Sequence, residues 1–433
     1  MFMSSTAPGG VHVTTPEDQT LIGTLLADTL IGGAGHDSIE GAAGADSLSG
    51  GAGDDDFTAG LGADWIDGGA GIDWVYLDEQ TGPIEVWLNQ AAPLGHIRID
   101  NAELIIGGEL DLRVHGGATA DFVIGGDGID EFDGDAGDDV LAGLGGADIL
   151  RGGSGDDLLD GGSGDDIVEG GTGYDFADYS AATNAIIVDL NLTGSQATGF
   201  GLDRLTGIEG IFGASDYNST LIGDAGANEL YGFGGDDKLM GGAGDDILID
   251  QAGRNFIRGE EGDDYLEGGV EFDDLHGNMG NDTVLGFQGD DWVVGGKDSD
   301  HLEGGSGIDV LYGNMGADTL YGGADRDVMR GGQDNDTLSG GGGDDWISGD
   351  RGSDTISGGD GADTFHIFAG SGLDQIIDFS AGQGDRVQLE IGKAYTVSQQ
   401  GADTVIDLGA GDQMVLVGVT LSTLPAGWIV ADF

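Results

Sequence analysis

Large apolar residues return every nine positions along much of this chain. From Leu239 they run Leu248, Ile257, Leu266, Leu275, Val284, Val293, Leu302, Leu311, Leu320, Met329, Leu338, Ile347, Ile356 and Phe365 without a slip. An amphipathic helix repeats its apolar face about every 3.6 residues and a strand every two, so a period of nine marks a supersecondary unit instead. The unit reads Gly-Gly-x-Gly-x-Asp-x-U-x, with U the apolar position, as in Gly304-Gly305-Ser306-Gly307-Ile308-Asp309-Val310-Leu311-Tyr312. Glycines at positions 1, 2 and 4 predict a tight turn through positive φ. The last three residues predict a short strand, position 8 inward and positions 7 and 9 outward. Two units then make one coil of turn, strand, turn, strand, and only stacked coils bury the apolar position.

The register divides the chain. Residues 1–22 read as an N-terminal arm or cap. Six nonapeptides fill 23–76, an interlude covers 77–115, and seven more fill 116–178. A second interlude covers 179–213, seventeen nonapeptides fill 214–366, and the period stops over 367–433. In the interludes, Ile84–Leu88, Ile97–Ile99 and Ile187–Asn191 alternate like strands. Gly107–His115 has the length of a unit but carries Leu112 at position 6, a coil without an acid. Past the arrays, 365–368, 375–379, 386–389, 404–408 and 414–417 read as strands, with a hairpin turn at Gly401-Ala402-Asp403.

Charge changes the picture, because 81 acidic residues stand against 13 basic ones, a formal net charge of −68. Much of this acid sits at position 6. It comprises Asp28, Asp37, Asp46, Asp55, Asp64 and Asp73 in the first array, and Asp121, Asp130, Asp139, Asp148, Asp157, Asp166 and Asp175 in the second. The third carries Asp237, Asp246, Asp264, Asp273, Asp282, Asp291, Asp300, Asp309, Asp318, Asp327, Asp336, Asp345, Asp354 and Asp363. One hard carboxylate per turn, beside the carbonyls of a glycine loop, suits Ca²⁺. The metal should drive folding, since the acids repel until a cation lies between them. Ser219, Asn228 and Asn255 hold position 6 elsewhere and predict weak or empty sites. Asp298, Asp325 and Asp334 at position 4 read either as tolerated turn residues or as extra ligands.

On these motifs the chain resembles the RTX (repeats-in-toxin), or haemolysin-type calcium-binding, proteins. The resemblance implies an all-β, right-handed parallel β-roll. If each closed site needs units two apart, the arrays should hold roughly 20–24 Ca²⁺ once the weak units are discounted. It also implies type I secretion from a signal near the C-terminus, which Trp428–Phe433 fits loosely, and a C-terminal cap that includes Asp374–Phe379. Met1–Gly10 has neither the basic nor the apolar region of a Sec signal, which agrees with such a route.

Catalytic chemistry is not evident. The sequence has no cysteine, no His-Glu-x-x-His and no Gly-x-Ser-x-Gly. Carboxylate pairs such as Asp78–Glu79 and Glu103–Glu109 are what any acidic chain offers. The expectation is therefore a calcium-binding structural, surface or adhesive protein outside the cell, not an enzyme. A carbohydrate-binding module like those of alginate epimerases is one alternative, and an enzyme with its site in the interludes is the other. Nucleic acid is a poor partner for this charge, and no run is long enough for a membrane helix. Outward position 7 reads Phe256, Asp274, Trp292, Val310, Val328 and Trp346 on one sheet, with Val294 and Tyr312 beside them. It reads Tyr265, Thr283, His301, Thr319, Thr337 and Thr355 on the other. The first row suggests a face for a second copy or for a sugar stacked on Trp292 and Trp346.

Overall fold

The computed structural model describes residues 2–4, 11–13, 17–77, 80–390 and 392–431. It falls into two compact units, 1–212 and 213–433. Each is a parallel β-roll, two parallel sheets wound from one chain. Among the described residues the only helical element is a 3₁₀ turn, Leu421–Thr423.

In the second unit the strands pair in steps of eighteen residues, two nonapeptides. Trp292 lies beside Val310, Val310 beside Val328 and Val328 beside Trp346 on one sheet. His301, Thr319, Thr337 and Thr355 do the same on the other. The position-8 residues, Leu311 and Leu320 among them, are fully buried between the sheets. Val294 departs from the expected outward row and is nearly buried, at 8% exposure, flanked by His276 and Tyr312.

The strands are longer than the nonapeptide suggests. Val310–Met315 spans six residues and continues through the next Gly-Asn-Met. The glycines also divide their work. Gly305 and Gly307 take positive φ, +111° and +131°, but Gly304 does not. Position 1 is bare for space: a Cβ on Gly304 would stand 2.5 Å from Asp309 Oδ2 and 2.6 Å from the Gly322 carbonyl oxygen. Positions 2 and 4 accept other residues in the left-handed region, Asn314 at +80° and Asp298, Asp325 and Asp334 at +71° to +75°. The three aspartates thus act as turn residues.

Coils continue where the period ends. Leu373–Ile376 and Arg386–Leu389 pair in parallel with array strands at steps of 20 and 22 residues (Thr355 with Gln375, Thr364 with Arg386). A meander of Thr396–Gln400, Asp403–Gly409 and Asp412–Leu416 then closes this part of the sheet, with Gly401 and Ala402 at its first turn.

In the first unit, Phe2–Ser4 and Val11–Val13 already pair in the eighteen-residue register. The first interlude adds a strand to one sheet. Ile97–Asp100 stands between Trp65–Ala70 and Ile84–Leu88, although it follows both in sequence. A row of alternating charge crosses this sheet. Arg113 pairs with Glu85 (3.9 Å) and Glu131 (3.3 Å), Arg151 with Glu131 (3.0 Å) and Glu169 (3.3 Å), and Arg204 with Glu169 (2.8 Å). The opposite sheet carries Trp74, Leu104, Phe122, Val140, Leu158 and Phe176 on neighbouring strands in one outward row.

Candidate metal columns

Every coil brings position 6 to the sheet edge, where the turn enters the strand. The backbone N–H of each such residue donates to Oδ1 of the next aspartate along that edge. Asp291 donates to Asp309 (2.8 Å), Asp309 to Asp327 and Asp327 to Asp345 (both 2.9 Å). Two columns result in the second unit. One runs Ser219, Asp237, Asn255, Asp273, Asp291, Asp309, Asp327, Asp345, Asp363. The other runs Asn228, Asp246, Asp264, Asp282, Asp300, Asp318, Asp336, Asp354. In the first unit the runs are Asp37, Asp55, Asp73; Asp28, Asp46, Asp64; Asp121, Asp139, Asp157, Asp175; and Asp130, Asp148, Asp166.

The other oxygen is the unusual one. In twenty-four of the twenty-seven aspartates one carboxylate oxygen is buried with no hydrogen-bond donor, Oδ2 in all but Asp28. A buried anionic oxygen without a partner is costly. Along the long array many of these Oδ2 atoms share their space with the position-1 carbonyl one coil on, as Asp309 Oδ2 does with Gly322 O and Asp327 Oδ2 with Gly340 O. An acidic oxygen beside a neutral carbonyl oxygen is a donor set for a hard cation, so the residues fit calcium. The cradle takes one side chain per coil and fills out with backbone. Accordingly, no cluster of three or more His, Asp or Glu side chains forms a metal site among the described residues.

Four aspartates differ, and Asp175 is one of them, with no buried bare oxygen. The Oδ2 atoms of Asp121 and Asp130 accept N–H bonds from Gly117 (3.0 Å) and Gly126 (3.1 Å) in their own turns. Asp28 Oδ2 accepts from Thr24 N and Oγ1, both at 2.7 Å, and leaves Oδ1 bare. Of the other position-6 residues, Ser219 Oγ accepts from Ala214 N, and Asn228 Oδ1 from Asp224 N.

The nonapeptide pattern missed several acids that extend the columns. Asp73 donates to Glu103 Oε2 (2.7 Å) and Asp175 to Glu209 Oε2 (3.0 Å). Asp166 donates to Asp203, Asp354 to Asp374 and Asp363 to Asp385. All five sit outside the nine-residue register, yet each opens an acid-x-apolar triplet such as Asp374-Gln375-Ile376 or Asp385-Arg386-Val387. That half-motif was the available signal. The same residue type is lost at the first interlude. Ile97 and Leu112 take the position-6 place on one edge, Ile84 lies in register with Leu112, and all three are buried. Asp78 and Glu79 lie outside the described residues.

These features define a class, a solenoid of stacked glycine–aspartate turns with an oxygen cradle at each edge. The chain belongs to the family of the RTX calcium-binding nonapeptide repeat, whose overlapping matches run over residues 22–80, 115–177 and 214–376. No curated protein matches the sequence. Among solved structures, the extracellular lipase LipA from Serratia marcescens aligns at 17% identity with a TM-score of 0.19. That alignment covers 43% of this chain and 44% of the lipase, so the match spans less than half the lipase's length.

Burial raises many of these aspartates above their usual value of 3.8. Asp273, Asp300, Asp327 and Asp336 rise to about 8, mainly by loss of water and then by neighbouring carboxylates, against the opposing pull of one backbone N–H. Asp64, Asp139 and Asp291 rise to about 7 for the same reasons. The folded, metal-free chain therefore binds protons that the unfolded chain releases, and its stability falls as pH rises from about 4 to about 8. In chelator, far-UV circular dichroism should show β-structure growing as pH is lowered from 8 to 5. Over the same range the calcium concentration at half-folding should fall, because protons already stabilise part of the folded state that calcium must otherwise hold. A chelated chain whose spectrum ignores pH across this window contradicts the assignment.

Proposed function

We propose that this is a secreted protein that folds on calcium outside the cell and serves as a structural, surface or adhesive element. The observation that carries the reading is the repeated bare Oδ2 in a chain of net charge −68. The position-6 aspartates are its ligands, and roughly 20–24 Ca²⁺ would bring about +40 to +48 of charge, most of what the chain needs to become compact. Family membership supports type I export, as does the scarcity of calcium in cytosol. No helix among the described residues is long and apolar enough to cross a membrane.

In chelator at pH 8, circular dichroism should show mostly coil, turning steeply to β-structure in millimolar Ca²⁺. Mg²⁺ should substitute poorly, because it holds its water and prefers a rigid octahedral shell. A fully β-structured chain in chelator at that pH would overturn calcium-driven folding. Fractionating the native culture should place the protein in the medium or on the cell surface, with chelator releasing the surface-bound part; recovery only from cytosol would exclude the extracellular role.

A second reading, polysaccharide binding, has its own support in the second unit. Phe256 and Trp292 are exposed at 37% and 42% on one sheet. Arg258 lies over the Phe256 ring at 3.6 Å, and Arg330 over Trp346 at 5.2 Å. On the strands next to Trp346 runs an open groove of about 480 Å³ lined by Asn314, Arg330, Gln333, Arg351, His366 and Phe368. Aromatic faces beside amide and guanidinium donors suit a sugar chain, and the same row suits a second copy. The double change Trp292→Ser with Trp346→Ser, in calcium, should cut retention on polysaccharide or reduce oligomer size at least several-fold with circular dichroism unchanged. Unchanged retention and unchanged size would reduce the row to strand-forming surface.

A further inference from the structure

Position 1 of the nonapeptide is glycine in every unit of the three arrays except at Ala59, Ala214 and Asp250. Asp250 is thus the one long side chain at a place where a Cβ normally strikes the aspartate of its own unit. Its unit, 250–258, also lacks that aspartate and carries Asn255 at position 6. The two departures belong together.

Asp250 is 1% exposed, and its carboxylate is divided like those of the columns. Oδ1 accepts the N–H groups of Gln251 (2.7 Å) and Ala252 (3.1 Å), while Oδ2 is buried without a donor. That bare oxygen points to the cradle one coil back. A Cβ on Gly232 would meet Asp237 Oδ2 at 2.6 Å and Asp250 Oδ2 closer still. At Gly304, Gly322 and Gly340 the second oxygen in this place is a backbone carbonyl, from Gly322, Gly340 and Gly358. Here the carboxylate stands where the carbonyl would be, and the strand pairing is irregular at the same point, with Phe233 beside Asp250. One coil on, the Asn255 amide nitrogen donates to the Gly268 carbonyl oxygen at 3.1 Å. That carbonyl is the one the Asn255 rung would have offered a cation, and it is already hydrogen-bonded.

We propose that Asp250 is a calcium ligand that departs from the repeat, giving the Asp237 rung two carboxylates, while the Asn255 rung is closed by its own amide and takes no ion. The inference rests on the reading that the columns bind calcium. The charge lost at position 6 reappears at position 1 and is delivered one coil back. Two anionic oxygens at one rung make it a tighter site than its neighbours, because calcium affinity follows ligand charge.

Hydrogen–deuterium exchange of the full chain at stepped free calcium tests this. In Asp250→Asn, the calcium midpoint for protection of a peptide over 229–252 should rise about tenfold, while a peptide over 319–342 keeps its midpoint. In chelator the variant should exchange no faster than the parent, since a buried unpartnered charge has been removed. If Asp250→Asn does not fold in calcium, Asp250→Gly, the residue this position carries elsewhere, should show a smaller rise in the same peptide. An unchanged or lowered midpoint for 229–252 in the folded variant overturns the assignment, and the distant peptide still reports calcium binding by the rest of the column. A parent chain with no calcium-dependent protection in any peptide overturns the calcium reading and this one with it.

Discussion

The structure depends on a carboxylate divided between two duties. At position 6, one oxygen is held by a backbone N–H of the preceding coil, which fixes the stacking distance and ties coil to coil. The other oxygen is turned inward with no donor. The first duty is met by the chain alone; the second is not. A repeat protein is stable through the interfaces between its units, and here every such interface carries the same unmet demand. Stacking more coils therefore adds buried apolar contact and uncompensated charge together, so coil-to-coil cohesion and the need for a cation cannot be separated. This explains why position 1 tolerates so little, since the space above Gly304 is where the bare oxygen and the next carbonyl meet.

The interludes show what replaces that arrangement. At the first, one edge substitutes buried Ile97, Ile84 and Leu112 for acid, and the other inserts Glu103, whose longer side chain reaches back to Asp73 N. The apolar residues need no counter-charge, so the coils that interrupt the column add no bare anion of their own at that edge. At the second, Glu209 and Asp203 keep both edges acidic. The interludes thus remain inside the roll as coils of unequal length, and their surplus residues form loops at its rim.

Much of this was legible in the sequence because each nonapeptide position has one physical task. Leu311 could only point inward and Asp309 could only sit at a turn. The strands at 84–88, 386–389 and 404–408 followed from alternation alone. What the sequence hid was geometry that breaks the count of nine. Asp374 and Asp385 lie 20 and 22 residues beyond their partners, so a fixed period passes over them. Positive φ was assigned to three glycine positions, but the first is glycine for lack of room, a fact visible only once Gly322 is stacked above Gly304. The paired change of Asp250 and Asn255 was hidden for the same reason, because the two residues answer to different neighbours in space.

Identical coils raise a problem of identity, since any coil could dock on any other eighteen residues away and bury the same leucine. The row Glu85, Arg113, Glu131, Arg151, Glu169 and Arg204 breaks that degeneracy. Its signs alternate over six neighbouring strands, some directly opposite and some diagonal, so skipping one coil would bring glutamate near glutamate and arginine near arginine along the row. Each pair is a modest surface attraction, but the penalty for misalignment is collective, because like charges on neighbouring strands disfavour pairing. The row works as a key cut into an otherwise uniform ratchet.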